Sequence, residues 1–183
     1  MDVREQLVRA GVELLEEKGI GSLTQRLIAT RVGVSHGAPR HHFPSYAHLL
    51  AAMARSGVDD LDVGVQDSLS IPNPQLALFS VGKCVIDFAI ARPAMFELIS
   101  RHDLLEGAGA NLRQTTNGWL VSASTRIREI RSDGDQRHAL ALWAGVQGLG
   151  TMFSRRSVEA IASDGVDPSP VLGVLIEGVL RAP

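Results

Sequence analysis

Cysteine is almost missing from these 183 residues: Cys84 stands alone. One thiol excludes an internal disulfide and a thiolate metal cluster, and it suits a reducing cytosol. Aromatic residues make up only 4% of the chain, so a core has to be assembled from Leu, Val, Ile, Ala and Met. No apolar run approaches the ~20 residues needed to cross a bilayer. The opening Met1-Asp2-Val3-Arg4-Glu5 lacks the basic, apolar and small-residue order of a secretory signal. Both absences lead us to expect a cytoplasmic chain with no membrane partner. A charge excess is lacking too: the formal net charge is −2, which argues against coating nucleic acid by bulk attraction. What is present is a 45% apolar share beside 21% charged residues. That composition can bury a core and is not that of a disordered chain.

The charge is unevenly spread. Residues 1–50 hold six Arg/Lys and five Asp/Glu, against twelve and fifteen in residues 51–183. The five early acids, Asp2, Glu5, Glu13, Glu16 and Glu17, all precede residue 18. From 18 to 50 there are Lys18, Arg26, Arg31 and Arg40 and no acid. A polyanion-facing patch has this pattern, and a window this short also reaches it by chance.

Periodicity predicts helices throughout, and an all-α fold. Val3, Leu7, Ala10 and Leu14 recur at three- and four-residue spacing. Asp2 and Glu5 form a capping box before them, and Lys18-Gly19 stops the helix. Thr24 caps a second helix over 25–31, with Leu27 and Ile28 facing inward. Gly33 supplies a turn. Ser35 is expected to cap a third helix that ends near Phe43, because Pro44 follows. Pro39 would remove one early amide donor from that helix. Ser45 caps a longer helix through Leu49, Leu50 and Met53. Helix, glycine-containing turn and helix over 24–43 make a helix-turn-helix unit. Further helices are expected over about 75–91, 93–102, within 105–131, 134–154 and 169–181, with a break at Ile71-Pro72-Asn73-Pro74.

Residues 32–50 hold four of the six histidines: His36, His41, His42 and His48. No thiol or carboxylate accompanies them, and a pair of histidines four apart with a glutamate is absent, so no metal site is expected. Adjacent His41 and His42 point about 100° apart on a helix. No G-x-S-x-G elbow is present, and no paired catalytic motif argues for an enzyme. Plain exposed or half-buried histidines account for the pattern. So does a helix that turns donor-bearing side chains toward a DNA groove.

The stretch "LTQRLIATRVGVSHGAPRHHFPSYAHLL" decides between them. With its turn "VGVS", a reading helix beginning "SHGAP" and the closing "HHFPS", it resembles the DNA-binding domain of the TetR family of bacterial transcriptional repressors over residues 3–53. The resemblance implies a helix-turn-helix domain at 1–50 and a helical ligand-binding and dimerisation domain at 51–183. It implies a homodimer on a palindromic double-stranded operator, released by a small-molecule effector, with no cofactor. The DNA-binding set implied is Thr24, Gln25, Arg26, Ser35, His36, Gly37, Ala38, Arg40, His41 and Tyr46. Thr24 and Ser35 would meet phosphate through hydroxyl and helix N-terminus, and Gly37 and Ala38 would let the helix approach the bases. The family usually has an aromatic residue where Arg40 stands and Lys where Tyr46 stands, so base and aromatic are exchanged here. An Arg fork and a Tyr hydroxyl could each make the phosphate contact.

The later residues resemble the family less specifically. "ARPAMFELI" (91–99) and "LWAGVQGL" (142–149) look like landmarks of one subtype, which has His where Gln147 stands. Gly145, Gly148 and Gly150, with Gly173 and Gly178 in the apolar "VLGVLIEGVL", suggest close helix approach, either inside the domain or between two subunits. Phe88, Phe96, His102, Trp119 and Trp143 are candidates to line an effector pocket, although aromatics at helical spacing are more often core. The few charges in 76–100 lean toward an apolar or modestly polar effector. The competing reading is a helical adaptor that binds protein through its last helix.

Overall fold

The computed structural model describes residues 2–162 and 165–181. Among them the chain forms ten α-helices and no strand: α1 (Val3–Lys18), α2 (Gln25–Val32), α3 (Pro39–His42), α4 (Tyr46–Leu69), α5 (Pro74–Ala91), α6 (Pro93–Ser100), α7 (His102–Leu105), α8 (Leu112–Ile130), α9 (Gln136–Ser154) and α10 (Pro168–Arg181). They group into two compact units, Met1–Asp59 with Arg92–Leu112, and Asp60–Ala91 with Arg113–Pro183. The division falls inside α4, after Asp59, and the first unit takes in α6 and α7.

In the first unit, α1 starts at the Asp2–Glu5 capping box and ends at Gly19, whose φ of 72° only glycine adopts cheaply. Its buried face is Leu7, Ala10, Gly11, Leu14 and Leu15. A Cβ on Gly11 would stand 2.7 Å from Met53 Sδ, so α1 and α4 touch nearly backbone to side chain. Thr24 caps α2 by accepting the Leu27 amide at 3.2 Å. Gly33, at φ 78°, closes it, and the next amide, of Val34, bonds back to the Ala29 carbonyl at 3.0 Å. α6 buries Met95, Phe96 and Leu98, and Arg92 at its start pairs with Glu16 of α1 at 3.5 Å.

One boundary departs from the sequence expectation. The third helix begins at Pro39 and not after a Ser35 cap. Proline has no amide to give the Ser35 carbonyl, so that oxygen takes the Ala38 amide at 3.0 Å, and Arg40 bonds Gly37 at 3.1 Å. Residues 36–38 are therefore tight turn, and α3 is one helical turn long. The long helix expected within 105–131 is Leu112–Ile130. Gly107, Gly109 and Asn111 before it all have positive φ, which no helix contains.

In the second unit α5, α9 and α10 pack against one another. α5 buries Ala77, Leu78, Gly82, Val85, Ile86 and Ala89. α9 contributes Ala139, Leu142, Val146 and Gly150, and α10 Leu172 and Ile176. With 18 residues and a mean hydropathy of 1.4, α5 is long and apolar enough to cross a membrane by length and composition alone. This corrects the expectation drawn from uninterrupted runs. Its buried residues face α9 and α10, and its exposed face carries the Lys83–Asp87 ion pair, as in a core helix.

Candidate nucleic-acid interface

The helix-turn-helix in the first unit sets the expected DNA-binding residues in very different surroundings. Thr24, Arg26, Ser35, His36, Gly37, Arg40 and His41 are exposed; Gln25, Ala38 and Tyr46 are half-buried. Thr24 already spends its oxygen on the α2 cap. Gly37 has nothing within 4 Å of where a Cβ would be, which leaves a bare patch of backbone beside His36. Pro39 and Phe43 are buried and anchor the two ends of α3. The Gln25 side-chain nitrogen is buried without a hydrogen-bond partner among the described residues.

The electrostatics separate the cations of the acid-free stretch. Arg31 forms a two-pronged ion pair with Glu17, at 3.0 and 2.7 Å, and lies 3.9 Å from Glu13. Its guanidinium holds the Glu17 carboxyl below the usual carboxylate range. Arg31 therefore ties α2 to α1 and is neutralised there. Acids four apart at 13 and 17, on one face of α1, were the signal in the sequence for this pairing. Arg26, Arg40, His36 and His41 have no acidic partner among the described residues.

Tyr46 departs furthest from a phosphate-contact geometry. Its hydroxyl donates to the Leu23 carbonyl at 2.9 Å. A phosphate oxygen can only accept, so the one phenolic proton is already committed. Burial pushes its pKa up to about 12. Of the other two histidines, His42 is half-buried and His48 shares a 2.8 Å hydrogen bond with Ser45 Oγ. No group of three His, Cys, Asp or Glu side chains that could hold a metal ion occurs among the described residues.

The five expected effector residues do not come together as one group. Phe96 is buried in the core of the first unit, and His102 is exposed there, 4.0 Å from Glu106. In the second unit, Phe88 is half-buried on α5. Trp119 of α8 and Trp143 of α9 do meet, with ring centroids 5.9 Å apart and planes tilted by 49°. They border a small, partly open cavity of about 30 Å³ with Leu78, Val81, Leu120 and Val146. The indole N–H of Trp119 donates to Asp62 at 2.6 Å, and Gln66 donates to the same oxygen at 2.9 Å. Asp62, 57 residues away from Trp119, left no local signal in the sequence.

The glycines of α9 and α10 also divide. Gly145 lies against Leu175 within the unit, a Cβ there standing 2.5 Å from its nearest methyl, and Gly150 is buried. Gly148, Gly173 and Gly178 face open space. On the same two helices Leu140 is 55%, Val171 38% and Val174 74% exposed.

Residues 7–53 match the model of the bacterial regulatory proteins of the tetR family. The nucleoid occlusion factor SlmA of Marinomonas sp. (strain MWYL1) is 25% identical over 146 residues, covering 79% of this chain and 74% of the relative. Among solved structures, a transcriptional regulator of Rhodococcus sp. Rha1 superposes with a TM-score of 0.76 at 22% identity, covering 98% of this chain and 97% of the other. The structure of BioQ with its double-stranded DNA operator superposes with a TM-score of 0.68 at 18% identity, covering 98% and 99%.

Proposed function

We propose that the chain is a DNA-binding regulator, its N-terminal domain matching the tetR family model over residues 7–53, and that it acts as a dimeric, effector-released repressor on a palindromic operator. The observation that carries this reading is the set Arg26, His36, Arg40 and His41, exposed on α2, α3 and the turn between them with no acid beside it. Unpaired arginines on a helix-turn-helix release counterions from a duplex and help to fix its register. Arg40 takes the phosphate role through its guanidinium fork. His36 and His41 present ring donors toward base edges, and bare Gly37 lets the turn come close. Ser35 and Thr24 flank phosphate. Tyr46 acts as a clamp: its bond to Leu23 fixes the start of α4 relative to the loop before α2.

The exposed strip Leu140, Gly148, Val171, Val174 and Gly178 favours a two-fold contact with a second copy, since small and apolar residues allow helices to approach. A palindromic site, with half-sites one groove turn or ~34 Å apart, matches such symmetry. The effector is an apolar or modestly polar small molecule entering between Trp119 and Trp143. The space there has about the volume of one water molecule, so a ligand must shift α8 or α9. A ligand preferring the shifted state moves the population toward it.

The test is binding of the purified protein to DNA flanking its own gene, at two salt concentrations. One fragment retained over random DNA, less tightly at high salt, supports the reading, and Arg40→Ala then lowers affinity by about 1 kcal/mol or more. Equal, weak retention of every fragment, indifferent to Arg40→Ala, favours the adaptor that uses the α9–α10 face alone.

A further inference from the structure

Outside the helix-turn-helix, one cation on the first unit is held in place without being neutralised. The Arg4 guanidinium lies 5.0 Å from the centroid of the Phe43 ring. Phe43 is buried and caps the C-terminal end of α3 directly after His42. Arg4 itself is exposed and has no acidic partner among the described residues. Its two acidic neighbours are turned to other work: Asp2 and Glu5 form the capping box of α1, with Glu5 accepting the Asp2 amide at 3.4 Å. Arg9 of the same helix behaves differently, since it pairs with Glu13 at 3.7 Å.

We propose that Arg4 is a DNA-backbone contact, stacked on Phe43 so that its charge sits beside the end of the reading helix. This rests on the DNA-binding reading above. A helix lying in a major groove about 12 Å wide has flanking phosphates near its ends. A guanidinium stacked on a ring keeps its in-plane N–H donors free, which is the geometry a phosphate oxygen needs. Stacking also lowers the ordering cost of the long side chain, because it is already fixed before DNA arrives. Asp2 and Glu5 leave the first turn net negative, so the contact is local and amounts to one phosphate. It carries no base information and acts equally on every sequence.

The experiment compares full-length wild type, Arg4→Gln, Arg4→Lys and Arg40→Ala on a mixed-sequence 30-base-pair duplex and on the flanking DNA fragment, across a salt series, with thermal unfolding of each variant. Loss of one phosphate contact lowers the slope of log affinity against log salt by about 0.9 on both duplexes. Arg4→Gln is expected to do this and to weaken binding severalfold, while Arg4→Lys keeps the wild-type slope. A purely structural Arg4 would instead lower the unfolding temperature in Arg4→Gln and leave the slope alone, and that result overturns the proposal. So does an unchanged Arg4→Gln slope where Arg40→Ala reduces it. A wild type with no salt-dependent binding to either duplex overturns the functional reading itself, and this inference with it.

Discussion

On α2, α3 and their turn, the exposed arginines and histidines without an acidic partner among the described residues are Arg26, His36, Arg40 and His41. On α9 and α10 the exposed large apolar side chains are Leu140, Val171 and Val174. The two units also spend their ion pairs differently. In the first, Glu16 and Glu17 tie α1 to Arg92 at the start of α6 and to Arg31 of α2, while Glu13 pairs with Arg9 within α1. These pairs neutralise three acids of α1 and leave Arg26 and Arg40 without an acidic partner among the described residues. In the second, Arg131 pairs with Asp133 at the end of α8 and donates to the Val179 carbonyl of α10 at 3.2 Å. Polar groups there fix the ends of helices, and the middles of α9 and α10 are left apolar. One surface suits a polyanion, whose binding weakens with salt. The other suits burial of carbon, which salt does not weaken. Salt should therefore separate the two units: operator affinity falls steeply as it rises, and dimer affinity does not.

The largest break in this contrast comes from Val174→Glu. Val174 is 74% exposed in one subunit, so the substitution leaves the isolated fold nearly unchanged. At a two-fold contact it would bury a carboxylate from each copy without a partner, at a cost on the order of 3–5 kcal/mol. With the proposed two-fold contact, sedimentation should show dimers for the wild type and monomers for the variant, and operator affinity should fall by about two orders of magnitude. A variant that stays dimeric would show that α9 and α10 do not meet their counterparts.

A smaller effect is expected inside the second unit. A Cβ on Gly82 would stand 2.8 and 3.1 Å from the methyls of Leu172 and 3.3 Å from Val146 Cγ2. Leu172 is fully buried and has nowhere to swing. Gly82→Ala should cost about 1–3 kcal/mol of overpacking, partly offset by the roughly 1 kcal/mol that alanine gains in a helix. A lower denaturant midpoint is the readout. Gly37→Ala provides the converse in the first unit. With open space around it, the midpoint should hold while DNA binding weakens. A Gly82→Ala midpoint at or above wild type would mean that α5 and α10 are packed less tightly than their distances imply.

Much of this was legible in the residues, for reasons that differ by element. The capping box at Asp2 and Glu5, the Thr24 cap and Gly33 are local signals, and local signals fix α1 and α2 with their ends. At α3 a hydroxyl at Ser35 and a proline at 39 give conflicting instructions. The missing amide at 39 decided the matter. The acid-free stretch falls on the exposed side of the helix-turn-helix, but charge counting cannot distinguish Arg31, neutralised by Glu17, from Arg40, which is not. That depends on how α1 and α2 cross. Trp119 and Trp143 were named for their type and do meet, whereas Phe96 and His102, named on the same ground, belong to the other unit. Side-chain type says what a residue could line, and only the packing of helices distant in sequence says where it is.

Tyr46 shows the same limit most clearly, and it sharpens the comparison with the smallest change: removal of one oxygen. The exchange of base and aromatic at positions 40 and 46 reads in sequence as two swapped phosphate ligands. In the fold, the Tyr46 hydroxyl donates to the Leu23 carbonyl and the ring is partly buried. Tyr46→Phe should therefore cost about 0.5–1.5 kcal/mol of stability for the lost hydrogen bond, and leave the salt slope of DNA binding unchanged. The pH dependence provides an independent check. Burial pushes the phenol from its usual value near 10 to about 12, so the folded chain holds this proton more tightly than the unfolded one. Its contribution is fully present below pH 10. Between pH 10 and 12 the unfolded phenol ionises while the folded one does not, and the contribution is lost as pH rises. Denaturant midpoints at about pH 8 and about pH 11 should converge between wild type and Tyr46→Phe as pH rises. A constant gap across that range would mean the ring is as solvated in the fold as outside it. A reduced salt slope in the variant would mean that the hydroxyl leaves Leu23 for phosphate when DNA binds.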